Sequence, residues 1–380
     1  MHTLNVTPHN LLGPGPSNVH PDVLRALAHP LVGHLDGQFI ELMRNTQVLL
    51  RSAFQTENEL TIPISGTGSA GMEAALCNFI EPGDRVLICV NGYFGERLCT
   101  MSARYGAEVS RLDRPWGEVF TLEEIRHALA AQPFKLMAIV HGETSTGALQ
   151  PLEGLAELVH ARGALLLVDC VTTLGGVPLY IDRWGIDIAY SGSQKCLGLP
   201  PGLAPLTVGP RARTVLANRS RPVGSWYLDL TLVGSYWGNE RAYHHTAPIS
   251  MNYALLVGLE LLSAEGLQAR WERHRANAHL LWQGLQALGL ELVVAPEHRL
   301  SPLTTVHIPA GVNDLNVRQR LLNEYQIEIA GGLGPFAGKI WRIGLMGHSS
   351  QSANVELLLQ ALQYIAGCNE TSGVWRRIRQ

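Results

Sequence analysis

Lysine is nearly absent from this chain of 380 residues: of 29 basic residues only three, Lys135, Lys195 and Lys339, carry a primary amine. Chemistry that needs an amine nucleophile therefore has three candidates. No apolar run reaches the roughly 18 residues that a membrane-spanning helix needs, and the opening MHTLNVTPHN lacks a basic stretch followed by an apolar one. A membrane span and a secretion signal are not expected, and the expected location is the cytoplasm. Charge is almost balanced, 29 basic against 32 acidic residues for a formal net charge of −3, with no run of one sign. The electrostatic footprint of a nucleic-acid or anionic-membrane partner is therefore missing. The six cysteines, at 77, 89, 99, 170, 196 and 368, form no CxxC pair and mostly sit in apolar runs. That excludes a disulfide framework and a zinc site, and suits buried thiols in a reducing compartment.

What is present is a hydrophobic fraction of 46%. Since single cores seldom grow past roughly 250–300 residues, the chain should form one large domain and one smaller one. Between residues 60 and 210 short apolar runs alternate with amphipathic stretches, the pattern of βαβ units in a mostly parallel sheet. Strands are expected at Leu60–Ile64, Arg85–Val90, Glu108–Leu112, Lys135–His141, Ala164–Asp169, Asp187–Tyr190 and Leu206–Val208. Helices fall between them at Gly68–Ile80, Phe94–Tyr105, Thr121–Ala131 and Leu152–Ala161. Gly13-Pro14-Gly15-Pro16-Ser17-Asn18 can be neither helix nor interior strand and reads as an ordered loop. Long helical periodicity over 252–290 precedes expected strands at Glu291–Val294, Thr304–Ile308, Ile327–Ala330 and Ile340–Leu345 and helices near Leu315–Tyr325 and Ala353–Ile365, a small α+β domain. The tail after Gly373 is short and basic.

Three local motifs could carry chemistry. Gly66-Thr67-Gly68-Ser69-Ala70-Gly71 is a GxGxxG between an expected strand and helix. A dinucleotide site would need an acid closing the next strand, but that strand ends Val90-Asn91-Gly92, which disfavours a nicotinamide enzyme. The same residues suit a phosphate, because exposed N–H groups and the positive end of a helix attract an anion and Thr67 and Ser69 add hydroxyls. A tight turn capping a helix is the plain alternative. Leu165-Leu166-Leu167-Val168-Asp169 ends an apolar strand in a carboxylate, where ligands of open α/β sheets bind; alone, it reads equally as an Asp capping a turn. Ser191-Gly192-Ser193-Gln194-Lys195-Cys196-Leu197-Gly198 puts Lys195 on a loop after an apolar strand, where lost hydration lowers an amine's pKa. Lys135 and Lys339 look like ordinary surface lysines. A phosphate cradle, a carboxylate at a strand end and a desolvated lysine are together the parts that a pyridoxal phosphate enzyme requires: an amine for the Schiff base, an acid to keep the pyridine nitrogen protonated, and a phosphate anchor.

On these residues the sequence resembles the class V aminotransferases of pyridoxal-phosphate fold type I, in particular the alanine–glyoxylate and serine–glyoxylate group. The likeness runs from Leu11-Leu12-Gly13-Pro14-Gly15-Pro16-Ser17-Asn18 through His141-Gly142-Glu143-Thr144-Ser145-Thr146-Gly147 and Ser191-Gly192-Ser193-Gln194-Lys195 to Trp341-Arg342-Ile343-Gly344-Leu345. It implies an α/β fold with a mostly parallel seven-stranded sheet in the large domain and a small C-terminal α+β domain, divided as an arm over 1–20, a large domain over 21–251 and a small one over 252–380. It also implies pyridoxal 5'-phosphate as cofactor, with Lys195 as Schiff-base lysine and proton carrier and Asp169 facing the ring nitrogen. Thr67, Gly68, Ser69 and Gln194 resemble the phosphate contacts, Thr144 the contact to the ring hydroxyl, and Val171 and Phe94 the residues on the two ring faces. Tyr243-His244-His245-Thr246 looks like the segment through which a neighbouring subunit supplies Tyr243 and Thr246, which makes a homodimer part of the site. Arg342 matches the arginine that grips the substrate carboxylate through a bidentate pair, the plain alternative being a core arginine paired with an acid. His34, Cys196 and His348 stand near these motifs without a role.

The resemblance implies glyoxylate as acceptor and a small amino acid as donor. Gln38 and Asn252 are amides where close alanine–glyoxylate relatives tend to have apolar or aromatic residues. A carboxamide offers a donor and an acceptor together, which matches a ureido group and would be left unpaired around a methyl. In this the chain is similar to the (S)-ureidoglycine–glyoxylate aminotransferases of purine degradation, with Gln38 and Asn252 reading the ureido group; local capping by both amides is the alternative. A carbon–sulfur lyase on the same scaffold would need a reactive cysteine in the small domain, where the sequence has only Cys368. A cofactor-free binding protein is the remaining, non-enzyme class.

Overall fold

The computed structural model of the chain describes residues 5–368. The basic tail after Gly373 lies outside the described residues, as does the side chain of Cys368. The central sheet has seven strands, in spatial order Leu60–Ser65, Leu203–Val208, Ile188–Tyr190, Leu165–Asp169, Leu136–Val140, Arg85–Val90 and Glu108–Asp113. All neighbours run parallel except Leu203–Val208, which is antiparallel to both of its own. The interior strands are apolar runs because helices cover both faces: Leu165, Leu167 and Ile188 face one layer with Met43 and Phe79, while Leu166, Val168 and Ala189 face the other with Phe54 and Leu155. The strand pattern of this sheet read from the sequence is the one observed, with ends shifted by at most three residues.

Helix limits follow local chemistry. Thr121 and Glu124 form a reciprocal capping box at the start of Leu122–Ala130. Asp36 caps Gly37–Phe54 by accepting from the Gln38 N–H at 2.8 Å. The periodicity over 252–290 resolves into two helices, Ile249–Glu265 and Leu267–Ala287, because Gly266 takes a φ of 80° that breaks the ladder between them. Ala254, Leu255, Leu259 and Leu262 of the first helix belong to the large-sheet core, and Leu281 and Leu285 of the second to the small-domain core. The two helices thus pack into different cores on either side of Gly266. The expected strand Glu291–Val294 is reduced to a single bridge between Leu292 and Val306 before Pro296 turns the chain.

The small domain pairs Leu303–His307, Ile340–Gly344 and Ala330–Gly331 as an antiparallel sheet with Ile340–Gly344 in the centre. Helices Asp314–Tyr325 and Ser352–Cys368 join Leu267–Ala287 around Trp341 and Ile343. The N-terminal arm is part of this unit: Asn10–Leu11 runs parallel to Ile327–Glu328, Leu12 is buried in the small-domain core, and the Gly344 N–H donates to the Leu12 carbonyl at 2.7 Å. Beyond it the Gly-Pro loop crosses to the large domain, where Ser17 donates its N–H to the Gln194 carbonyl and its hydroxyl to the Lys195 carbonyl, each at 3.2 Å. No helix among the described residues is long and apolar enough to cross a membrane.

Candidate active site

Asp169 ends the middle strand of the sheet and is 2% exposed. Its carboxylate accepts from the Val171 N–H at 2.8 Å and from the Tyr190 hydroxyl at 2.7 Å. Tyr190 ends the adjacent parallel strand, and the register sets it opposite Asp169, on the same face. Burial raises the Asp169 carboxyl to about 6 against these two donors and the nearby Lys195 and Arg97. The acid is thus held by neutral donors only.

Lys195 sits on the loop after the Ile188–Tyr190 strand and is 9% exposed. The loop is pinned by Ser193 Oγ, which donates to the Pro200 carbonyl at 2.6 Å, and by Ser191 Oγ, which donates to the Cys170 carbonyl at 3.1 Å. Its amine donates to the Pro14 carbonyl. Burial lowers its pKa to about 8; Arg342 and Arg97 act in the same direction, and Cys196 and Asp169 oppose them. Gly15 makes the close approach possible: its φ is 106°, and a Cβ there would lie 2.7 Å from the Lys195 amine. The other two lysines differ: Lys135 is tied to Asp84 and Glu81 at 2.6 and 3.3 Å, and Lys339 is exposed.

The GxGxxG segment forms a cradle. Thr67 occupies the N-cap of Gly68–Cys77, yet its hydroxyl does not cap the helix; the Ala70 N–H donates to the Thr67 carbonyl at 2.8 Å, which leaves the N–H groups of Gly68 and Ser69 available. A Cβ on Gly68 would stand 3.2 Å from Val171 Cγ2 and 3.6 Å from Gly192 Cα, so the glycine is what lets these backbones meet. Gln194 Oε1 points beside Gly192 and is buried without a hydrogen-bond partner. Ser69 Oγ accepts from Arg97 Nη1 at 3.0 Å, and Arg97 lies over the Phe94 ring, 4.9 Å from its centroid.

Phe94 is the second residue of the helix Tyr93–Arg104, which starts on a buried carboxylate. Glu143 accepts from the N–H groups of Phe94 and Gly95 at 3.1 and 3.4 Å and from Ser145 N and Oγ at 3.0 and 2.7 Å. Burial raises the Glu143 carboxyl, opposed by these donors. Gly92, the N-cap, must be small, because a Cβ would run into the Glu143 side chain. Next to Glu143, Thr144 is buried, and its carbonyl accepts from Arg342 Nη1 at 3.4 Å. Arg342 is 7% exposed in the central small-domain strand, donates Nε to the Gly331 carbonyl at 2.8 Å, and has no carboxylate ion-pair partner among the described residues. The buried Glu143 acts on Arg342 through its charge, without a direct ion-pair contact.

The structure thus gathers Lys195, Asp169, Val171, Gly68, Ser69, Gln194, Phe94, Thr144 and Arg342 into one linked region. It does not bring in four others. Tyr243 is 63% exposed and its ring meets only that of His34, at 5.2 Å, and Thr246 is exposed. Gln38 is exposed at the second residue of its helix. Asn252 is 1% exposed in the first turn of Ile249–Glu265; its Nδ2 donates to the Pro248 carbonyl at 3.0 Å, and its Oδ1 is buried without a partner. Cys196 donates Sγ to the Thr172 carbonyl at 3.1 Å and His348 packs against the His20 ring, so neither acts on Lys195 through a hydrogen bond. The five described cysteines are all buried thiols. Sequence reasoning missed Tyr190, Glu143, Arg97 and the Pro14 carbonyl. Of these only Tyr190 leaves a signal, as the last residue of the next parallel strand.

The unspent capacity of these groups fits pyridoxal phosphate: free N–H groups, two hydroxyls and an unpartnered carboxamide at one end, a buried acid served only by neutral donors at the other, and a desolvated amine beside it. The comparisons agree. The family model "Aminotransferase class-V" matches residues 13–355. The (S)-ureidoglycine–glyoxylate transaminase of Bacillus subtilis is 42% identical over 373 residues, 93% of this chain and 90% of that protein. Among solved structures, the alanine–glyoxylate aminotransferase from a Nostoc species is 55% identical with a TM-score of 0.95, covering 96% of this chain and 97% of that one. The ureidoglycine–glyoxylate aminotransferase from Bacillus subtilis is 41% identical with a TM-score of 0.96, covering 99% and 98%.

Proposed function

The chain belongs to the class V aminotransferases, enzymes that work with pyridoxal 5'-phosphate, and from that premise we propose that it moves the amino group of (S)-ureidoglycine to glyoxylate, forming glycine. The observation that carries the choice of amino and 2-oxo acids is Arg342, a buried guanidinium whose hydrogen bonds go to the carbonyls of Gly331 and Thr144, with no carboxylate in direct contact among the described residues. A planar fork with unspent donors is matched by a carboxylate, the group shared by donor and acceptor.

When bound, the cofactor supplies an aldehyde that condenses with amines and an electron-poor ring that stabilises negative charge at the amino acid Cα. The chain does the rest. Thr67, Ser69, Gln194 and the N–H groups of Gly68 and Ser69 would hold the phosphate, Thr144 would serve the ring hydroxyl, and Phe94 and Val171 would flank the ring. Asp169 would keep a proton on the ring nitrogen. Lys195, whose amine is neutral in half its copies near pH 8, takes the α-proton of the donor and returns a proton to complete the exchange. Arg342 binds the α-carboxylate of the donor and then of glyoxylate, so one site serves both halves of the exchange. Tyr243 and Thr246, exposed in a single chain, serve the phosphate of a second copy in a homodimer, and the setting is the cytoplasm.

The donor rests on the amides. Asn252 keeps a buried Oδ1 without a donor, in a helix that starts three residues after Thr246, and Gln38 presents a free carboxamide on the adjacent helix Gly37–Phe54. Both suit a ureido group presented across the dimer, and the relatives of Bacillus subtilis support this reading. L-Alanine or L-serine is the second reading, favoured by the 55% identical Nostoc enzyme. Measuring kcat/KM for ureidoglycine and L-alanine with glyoxylate decides between them. Ureidoglycine should be preferred, and replacing Gln38 and Asn252 together by leucine should abolish that preference; a clear preference for alanine, or no change in the double variant, ends the proposal.

A further inference from the structure

We propose that Arg97 is a positioning residue for the cofactor, orienting the Ser69 hydroxyl toward the phosphate and holding the Phe94 ring in place over the pyridine, while its own charge balances the phosphate. The inference rests on the cofactor contacts proposed above for Ser69 and Phe94.

Arg97 follows Phe94 by three residues on the helix Tyr93–Arg104, the spacing at which side chains share a face. Its guanidinium lies 4.9 Å from the Phe94 centroid and 5.3 Å from that of Tyr93, and these two rings meet edge to face at 5.8 Å. A cation over an aromatic face is attracted to it, and here the pairing restrains the ring that packs on the cofactor. The helix itself cannot drift, because the buried Glu143 carboxylate holds the N–H groups of Phe94 and Gly95.

The second contact sets a direction. A serine hydroxyl has one proton and two acceptor positions. Arg97 Nη1 fills one acceptor position of Ser69 Oγ at 3.0 Å, which turns the hydroxyl proton away from the arginine. Ser69 is in the first turn of a helix whose Thr67 cap is unused, so an anion at that helix start is what the proton meets.

Charge gives the third argument. Arg97 is half-buried and makes no ion pair with a carboxylate among the described residues, so its charge is not neutralised within the chain by direct contact. Its field reaches Asp169 and Lys195, so it lies within the electrostatics of the site. A phosphate monoester, carrying roughly −1.5 to −2 charge at neutral pH, is the counter-charge of matching size.

The test uses apoprotein titrated with pyridoxal 5'-phosphate by visible absorbance, and with inorganic phosphate by thermal shift. Arg97→Met should weaken cofactor binding about 10- to 100-fold, the range of one hydrogen bond to a charged group. It should also abolish stabilisation by inorganic phosphate and leave the affinity for pyridoxal, which has no phosphate, less affected. Arg97→Lys, which keeps charge and the Ser69 donor, should recover part of the phosphate response and also shows whether the fold survives. In a Ser69→Ala background the loss caused by Arg97→Met should shrink, because the two act through one contact. Unchanged affinity for both probes in Arg97→Met, or a fully additive effect with Ser69→Ala, overturns the proposal. Failure of the wild-type apoprotein to take up the cofactor overturns instead the reading on which it rests.

Discussion

Replacing Tyr190 by Phe removes one atom from the site and should change the chemistry of another residue. The hydroxyl donates to Asp169 at 2.7 Å inside a region where both side chains are 2% exposed or less. Burial and the neighbouring Asp169 push the Tyr190 hydroxyl well above its ordinary range, so it stays a donor at any working pH. After the substitution Asp169 keeps only the Val171 N–H as a donor. A hydrogen bond to a charged group contributes about 1.5–3 kcal/mol, and about 1.4 kcal/mol corresponds to one pKa step, so the carboxyl should climb by roughly one to two steps. Starting from about 6 in the wild-type apoprotein, it would then titrate near or above neutrality. The sign follows from which form loses its partner. Only the ionised carboxylate uses the hydroxyl fully, so the variant is destabilised above the carboxyl's pKa, and the gap to wild type closes as the pH falls below about 6, where both proteins carry a protonated acid. Thermal melts of the two apoproteins at pH 5 and pH 8, with carbon-13 resonances of the Asp169 carboxyl as a direct readout, measure it. In the holoenzyme the acid limb of the kcat profile should move upward in the same direction. Equal melts at both pH values, with an unmoved carboxyl resonance, would refute the assignment of Tyr190 as the partner that keeps Asp169 ionised.

Arg342→Lys should raise KM for glyoxylate and for the donor about tenfold or more while kcat falls less, because an ammonium cannot reproduce the planar fork; steady-state kinetics showing unaltered KM for both substrates would remove Arg342 from carboxylate binding. Lys195, with its pKa lowered to about 8, should remain reactive toward an amine-directed reagent down to that pH, whereas an ordinary lysine amine with a pKa of about 10.4 is already mostly protonated there. Peptide mapping of apoprotein labelled across pH gives the midpoint, and a value above 10 would contradict the desolvated environment.

How far the sequence could be read depends on how local the cause is. Arg85–Val90 is found to the residue because a strand buried on both faces is an apolar run, and Pro82-Gly83 bounds it. Leu230–Trp237 leaves no such mark: LTLVGSYW is apolar nearly all round, and its helix is set by Asp229 accepting from Thr231 and by tertiary packing of Tyr236 and Trp237. Within the site, Asp169 and Lys195 are legible because a carboxylate closing an apolar strand and an amine in a small-residue loop are unusual in themselves. Their partners are ordinary residues made functional by distance in the chain. Pro14 meets Lys195 across 181 positions, Arg342 meets Thr144 across 198, and the Glu143 carboxylate reaches the Phe94 N–H across 49. No periodicity encodes such pairs. Gln38 and Asn252, legible as unusual amides, are not placed against Lys195 within one chain.

The two cations nearest in effect to Lys195, Arg342 and Arg97, are not equivalent. Arg97 and Arg342 both hold the Lys195 pKa down. Arg97 is fixed on a large-domain helix anchored by Glu143, whereas Arg342 belongs to the small-domain strand Ile340–Gly344 and reaches the large domain through its hydrogen bond to the Thr144 carbonyl at 3.4 Å and the charge of Glu143. A carboxylate paired with Arg342 cancels its field at Lys195 and leaves that of Arg97. The amine then faces one repelling cation where it had two, so its pKa rises, and an amine with a higher pKa is a stronger base for a carbon-bound proton. The same small-domain strand also fixes the arm, since Gly344 holds the Leu12 carbonyl two residues before Pro14, the amine's hydrogen-bond acceptor. Pairing a carboxylate with Arg342 should therefore raise the midpoint of Lys195 labelling in the apoprotein; a midpoint that acetate leaves unmoved would refute it.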